Sequence, residues 1–307
     1  MASSTSPLAA ALALLDRQGL LPTSLKSAEL REKLSARVRG LAVFSARQDN
    51  AEYLQEVKDV TGKVLTGEMS SAEARTILGD KLAALRVPAA DGDELTDHTS
   101  VSRRDLVVQT RVDILRGYGN QVAAQDENAL WAAPAQELYR LFATGKQRDW
   151  EQRWQDAGGE FFDGRMIAKI NDPVWQNLGT GAGGYADTLG NPYPPFAFNS
   201  GMDVREVPRY EAEELGVIGR GEEIAAADVD LPEFEAGVGA LDGELQRALA
   251  ADGELEVRDG VLGLRNRANS KRQVSNKTQI SMFKNRIALA LRICNRARRL
   301  QAEGLLS

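Results

Sequence analysis

The side chains able to do chemistry are few, and their spacing narrows what that chemistry could be. The 307-residue chain has one histidine, His98, and one cysteine, Cys294. A structural zinc site needs about four Cys/His ligands and a disulfide needs two cysteines, so neither is available. Ser-His-Asp catalysis would have to recruit His98, which lies in the polar run DELTDHTSVS and reads as a solvated loop residue. Cys294 falls on the apolar side of a predicted helix and reads as a small core residue. Glu160 and Asp163 are close enough to suggest a carboxylate pair, but general acid–base work needs a cleft and shifted pKa values, for which the sequence offers no sign. The glycine-rich GTGAGG, residues 179–184, lacks both a preceding buried strand and a following Gly-Lys-Ser/Thr, so it reads as a loop and not a phosphate cradle. No catalytic residue, metal ligand or cofactor is assigned.

Charge supplies the other candidate chemistry. The net charge of −6 hides a segregation near the C-terminus: residues 211–256 hold fourteen Asp/Glu against two Arg, whereas 260–302 hold eleven Lys/Arg and no acid. A helix predicted from about Asn276 to Ala302 has Ile280, Phe283, Ile287, Leu291 and Cys294 on one face, Arg292, Arg296 and Arg299 on another, and Lys277 and Lys284 on the flank. These five cations are the candidate nucleic-acid contacts. Such a surface binds phosphates in a salt-dependent way and, having no base-reading motif, reads no sequence. The alternative is a solvated helix neutralising the acidic segment, within the chain or in a neighbouring copy; both readings stand.

Several elements must carry these groups. PLAAALALLDRQGLL near the N-terminus is apolar for too short a stretch to span a bilayer and has no basic flank, so it predicts a short helix or arm; no membrane segment is visible. Residues 28–87 predict three helices: Leu30, Leu34, Val38 and Leu41 mark the first, and Leu54, Val57, Val60 and Val64 the second. The third is opened by the capping box Ser70-Ser71-Ala72-Glu73 and carries Ala74, Ile77, Leu78, Leu82 and Leu85. After a turn-rich linker at 88–100, a fourth helix from about Ser102 to Ala124 puts Val107, Thr110, Arg111, Ile114 and Tyr118 in register. Pro134 predicts the start of another helix, and a further helix holds Trp150 and Trp154 as core or interface anchors before Gly158-Gly159.

Beyond Gly159 the texture changes. EFFDGRMIAKIND predicts a strand with turns, DPVWQNLGTGAGGYADTLG predicts mostly loop, and MDVREVPRY predicts a strand. Between the last two lies NPYPPFAFNSG, too proline-rich for helix or central strand. Asp259-Gly260 predicts a two-residue hairpin turn. The expected fold is α+β: a mainly helical part over 1–158, a small loop-rich α/β module over 159–210, and a charge-segregated extension over 211–307 made of a hairpin and an amphipathic basic helix.

Taken in order, the helical segment SARVRGLAVFSARQDNAEYLQEVKDVTGKVLTGEMSSAEARTIL, the helix RRDLVVQTRVDILRGYGNQ, then DGRMIAKINDPVW and NPYPPFAFNSGMDVREV resemble the phage head morphogenesis proteins related to protein F of phage Mu. The resemblance covers residues 33–207 and rests on Asp163-Gly164, Asp172-Pro173-Val174-Trp175 and Pro194-Pro195-Phe196-Ala197-Phe198-Asn199. Ser200-Gly201-Met202 stands where that family has Cys-Arg-Cys, and the family's histidine is missing, so any metal binding in relatives is lost here. The resemblance implies a minor head protein with a few copies per virion, set inside the capsid near the portal vertex after assembly in the host cytoplasm. Its implied partners are the portal or capsid protein and packaged duplex DNA, with self-association open. Asp163, Gly164, Trp175, Pro194, Pro195 and Asn199 become motif residues of a fixed elbow, in which Tyr193, Phe196 and Phe198 anchor the loop and Asn199 holds the turn. The alternatives are a toxin-like enzymatic cargo in residues 211–307 and a DNA-binding protein unconnected with virions.

Overall fold

The computed structural model describes residues 6–23, 26, 30, 42–89, 94, 96–144, 148–229, 236–237, 255–258 and 261–264. The chain forms two compact units, residues 1–234 and 235–307, and the fold is mixed α+β.

In the first unit, helix α1 (Pro7–Arg17) starts where Ser6 accepts a hydrogen bond from the Ala9 amide at 3.2 Å and Pro7 fills the first turn. Strand β1 (Gly19–Leu20) pairs in parallel with β2 (Ala42–Val43). Helix α2 (Ala51–Thr66) is capped by Asn50 and ends at Gly67, whose φ of 79° suits only glycine without strain. Its Leu54, Val57, Val60 and Val64 are buried, as the spacing predicts. Helix α3 (Ser71–Ala84) opens on the predicted capping box, with the Glu73 carboxylate taking the Ser70 amide at 2.8 Å. Of the first predicted helix, Leu30 is buried, whereas Leu34, Val38 and Leu41 lie outside the described residues.

Helix α4 (Val101–Ala123) joins two cores. Val107, Val108 and Val112 pack with α2 and α3, while Ile114, Leu115 and Tyr118 pack with α1. Its glycines permit close approach: a Cβ at Gly119 would stand 2.1 Å from the Pro7 carbonyl oxygen. The loop entering α4 corrects one expectation, since His98 is buried at 7 % exposure and is not solvated. Glu94 and Thr96 nearby are exposed, whereas Asp97 and Thr99 on either side of it are half-buried.

A short helix α5 (Glu127–Ala132) leads to strand β3 (Ala135–Arg140), where the sequence predicts a helix. Ala, Gln, Glu, Leu and Arg are all good helix formers, so local propensity points the wrong way. Tertiary pairing decides. β3 is one of two inner strands of an antiparallel sheet ordered β4 (Phe161–Phe162), β5 (Arg165–Lys169), β3, β6 (Met202–Val207), and it pairs with β6 from Ala135 opposite Val207 to Arg140 opposite Met202. Ala135, Ile167 and Val207 pack on one face with Ala212, Val217 and Ile218, from helix α8 (Arg209–Glu214) and the turn after it. Leu138, Ala168 and Met202 pack on the other face against helices α6 (Trp150–Asp156) and α7 (Pro173–Thr180).

Among the described residues β6 is an edge strand. The Ser200 hydroxyl takes the Met202 amide at 3.2 Å, and the Asp203 carboxylate takes the Val204 amide at 2.8 Å. In the second unit β7 (Ala236–Gly237), β9 (Val261–Leu264) and β8 (Leu255–Arg258) form a three-stranded sheet in that order. Arg258 pairs with Val261; Asp259 and Gly260, the expected turn, lie outside the described residues. Among the described residues no helix is long and apolar enough to cross a membrane.

Candidate functional site

The motif residues are positioned by β4, β5, α7 and the loop from 185 to 201. Asp163 and Gly164 have φ values of 50° and 73°, the paired left-handed conformation of a tight hairpin, and join Phe162 to Arg165 across the β4–β5 turn. Asp163 and Glu160 are exposed at that turn, so no enclosed carboxylate pair forms. The segment expected to be loop contains helix α7 instead. Asp172 caps it by accepting the Val174 amide at 2.8 Å, and Pro173 occupies its first turn. Asp-Pro before Val-Trp is the signal that could have located it.

GTGAGG closes this helix. Gly181 is left-handed at φ 84°, so the run lies at the carbonyl end of α7, where the helix dipole disfavours an anion.

Trp175 is buried beneath the proline-rich loop. Its indole Nε1 donates to the Lys169 carbonyl at 2.9 Å, its ring meets Trp154 edge-on at 5.1 Å, and it stacks on Phe196 at 6.0 Å with an interplanar angle of 18°. Trp154 donates to the Glu160 carbonyl at 2.7 Å. Both indoles thus bury their rings without leaving an N–H unbonded. The Pro194–Pro195 bond is cis. Tyr193 lies edge-on to Tyr118 of α4 at 5.9 Å, and Phe198 packs on the same core. The Pro194 carbonyl oxygen approaches α4 so closely that a Cβ at Gly117 would stand 2.1 Å from it. The elbow therefore touches both the indole core and the central helix.

Polar groups fasten its two limbs. The Leu189 amide donates to the Phe196 carbonyl at 3.0 Å, and the Phe198 amide to that of Asp187 at 3.1 Å. Arg148 donates through Nε to Asp187 at 2.7 Å and through its terminal nitrogens to the carbonyls of Phe198 and Asn199 at 2.8 and 2.9 Å. Arg153 donates to the other Asp187 oxygen at 2.9 Å and lies 4.2 Å over the Tyr185 ring. Burial alone would raise the Asp187 carboxyl, but hydrogen bonds from Arg153 and Arg148 outweigh it and hold it below the usual carboxylate range. Asn199 contributes left-handed backbone, φ 47°, and the carbonyl that Arg148 holds.

A second ionic cluster braces the opposite face of the sheet. Glu137 accepts from Arg165 Nε at 3.0 Å and Arg205 Nε at 2.9 Å, and Arg165 also reaches Glu211 at 2.6 Å. Burial would raise Glu137, and the two guanidinium groups again reverse the direction.

The structure thus brings Trp175, Pro194, Pro195 and Asn199 into one elbow and sets Asp163-Gly164 at a sheet-edge hairpin. Sequence reasoning missed Arg148, Arg153, Asp187 and Gly117. Only Gly117, inside an otherwise regular helix, carried a local sign. Lys277, Lys284, Arg292, Arg296, Arg299 and Cys294 lie outside the described residues. Among the described residues no group of three or more His, Cys, Asp or Glu side chains could hold a metal ion. Comparison with known proteins returned no match: no family model, no curated protein and no solved structure aligns with the chain.

Proposed function

We propose that the chain is a minor head protein of a tailed phage or prophage, a structural component that contacts the portal or capsid interior during head assembly and lies against packaged DNA. The observation that carries this reading is the joining of two separate motif segments. Trp175 of Asp172-Pro173-Val174-Trp175 stacks at 6.0 Å on Phe196 of Pro194-Pro195-Phe196, so two of the three segments behind the family resemblance pack as one elbow. A rigid, non-catalytic presenting loop is what an assembly scaffold requires, because pre-ordering lowers the entropic cost of docking. The acidic segment 211–256 offers a surface for a basic partner, and the cations of 260–302 suit duplex phosphates without sequence preference.

Mass spectrometry of purified, nuclease-treated particles of the phage carrying this gene tests the proposal, with abundance taken relative to the portal protein. The expected result is a few to about a dozen copies per particle, the stoichiometry of a vertex-associated component in a symmetric shell. Absence both from mature particles and from assembling heads would overturn it.

A further inference from the structure

Downstream of α8 the chain lies on the first unit as a strap. From Glu222 to Val229 it has no helix, strand, turn or bend. Its root is fixed: the Glu222 carboxylate accepts from Lys169 Nζ and from the Gly219 amide at 2.8 Å, and Arg209 donates to the Glu222 carbonyl at 2.9 Å. Beyond the root, residues 223–229 make no backbone–backbone hydrogen bond with the described residues. Two side-chain amides hold them instead. Asn171, just after β5, donates through Nδ2 to the Ala225 carbonyl at 2.8 Å, and the Ala227 amide donates at 2.8 Å to Oε1 of Gln125, just after α4. Ile224 packs on the core that holds Ile167 and Ile218, and Val229 on the core that α1 and α4 share. Glu223, Ala225, Ala226, Ala227 and Asp228 are exposed.

Recognised peptides are commonly held in this way, with main-chain hydrogen bonds giving affinity and side-chain seats giving specificity. In a chain without bends, the polar groups of residues two apart face the same side, so one donor and one acceptor grip the backbone at Ala225 and Ala227. These grips read no side chain. Selection falls on the two ends, where the body receives an aliphatic group from Ile224 and another from Val229. A segment with so little burial and no hydrogen-bonded ladder opens at low free energy while the cores beneath it stay folded. When it lifts, the Asn171 and Gln125 amides and two apolar seats are left facing solvent.

We propose that the track under residues 223–229 is a docking site for an extended segment of a partner protein, and that the strap is its built-in competitor. The strap that fills the track defines the occupant: two β-branched aliphatic residues placed as Ile224 and Val229 are, joined by small residues whose backbone the two amides hold. The strap lowers the apparent affinity in proportion to the time it spends down, so the partner segment docks as the strap peels from its root at Glu222. The inference is independent of the head-protein reading.

The probe is a fluorescein-labelled peptide of residues 222–230, Glu-Glu-Ile-Ala-Ala-Ala-Asp-Val-Asp, titrated with full-length protein and followed by anisotropy. Combining Ile224→Ser with Val229→Ser removes both apolar anchors of the strap and leaves the track itself unchanged. Release without unfolding is read from an unaltered circular dichroism spectrum and faster cleavage after Glu223 by glutamyl endopeptidase. The peptide is expected to bind this variant at least about tenfold more tightly than wild type, whose own strap competes at high effective concentration. Adding Gln125→Ala weakens binding about fivefold, the loss of one hydrogen bond. If the double variant does not fold, Ala227→Pro, which deletes the N–H that Gln125 accepts, releases the strap in its place. A strap that resists cleavage in the folded variant would overturn the proposal. So would equal peptide binding, or none, to wild type and the released chain; either result makes the strap a fixed part of the fold.

Discussion

Arg148 and Asp187 are 39 residues apart in sequence, and their Nε and Oδ2 atoms are 2.7 Å apart. The same guanidinium holds two carbonyls of the elbow, at Phe198 and Asn199. Its planar fork is what lets one side chain bridge a carboxylate and two carbonyls, and the point charge of lysine cannot reproduce that geometry. Arg148→Lys should therefore destabilise the first unit by about 2 kcal/mol, and Arg148→Met by somewhat more, since Asp187 then keeps only Arg153. Thermal unfolding of the three proteins side by side measures this; equal melting temperatures would show that the elbow stands without the bridge.

Asp187 and Glu137 set an acid limit on stability. Both carboxyls are held below the ordinary range in the folded protein. Their contribution is complete above the unfolded carboxylate pKa, near pH 4, and is lost as pH falls through the lower folded values. Asp187→Asn leaves two buried guanidinium groups short of an anion and should cost about 3 kcal/mol at neutral pH. The difference from wild type should shrink on acidification below about pH 4, where the native carboxylate is itself being protonated. Urea titrations at neutral and acid pH measure both effects, and a pH-independent difference would contradict the ionic account.

At Asn199 and Gly117 the backbone makes opposite demands. Asn199 has φ 47°, so Asn199→Ala should cost about 1 kcal/mol while Asn199→Gly is close to neutral. Gly117 has no such torsional demand, yet a Cβ there meets the Pro194 carbonyl oxygen at 2.1 Å. Gly117→Ala would be stabilising in an exposed helix; here it should cost about 2 kcal/mol or more as the elbow is pushed off α4. Melting temperatures of the three variants test the contrast, and a stable Gly117→Ala protein would mean that the loop yields freely.

Much of this fold is visible in the sequence wherever local chemistry and tertiary need agree. The capping box at Ser70 and Glu73, the apolar stripe of Leu54 to Val64, the Trp150–Trp154 pair and the Asp163-Gly164 turn all form as their patterns predict. Failures come where a long-range partner outweighs local preference. β3 is spelled in helix formers and becomes a strand because β5 and β6 pair with it and two arginines answer Glu137. The polar half of the elbow was illegible for the same reason, because Arg148 and Asp187 mean nothing singly. His98 reads as solvated because loop composition reports on neighbours and not on how a turn packs against the body, where its ring is buried.

The basic end yields a prediction by salt dependence. If Arg292, Arg296 and Arg299 contact duplex phosphates, changing all three to Gln should weaken binding for every sequence tested. It should also reduce the slope of log affinity against log salt by about 2.7, or about 0.9 for each lost contact. Fluorescence anisotropy of the full-length chain on unrelated duplexes measures both. An unchanged slope would favour the reading in which these cations neutralise the acidic segment.

The edge of the four-stranded sheet carries a consequence for life at high concentration. Among the described residues strand β6 has no neighbour on one side, and an open edge ordinarily invites a further strand from another molecule. Ser200 and Asp203 occupy the Met202 and Val204 amides with their own side chains, so an incoming chain finds donors already engaged and a carboxylate in its path. An incoming strand would have to break both side-chain contacts before pairing along this edge, so two short polar side chains disfavour edge-to-edge association.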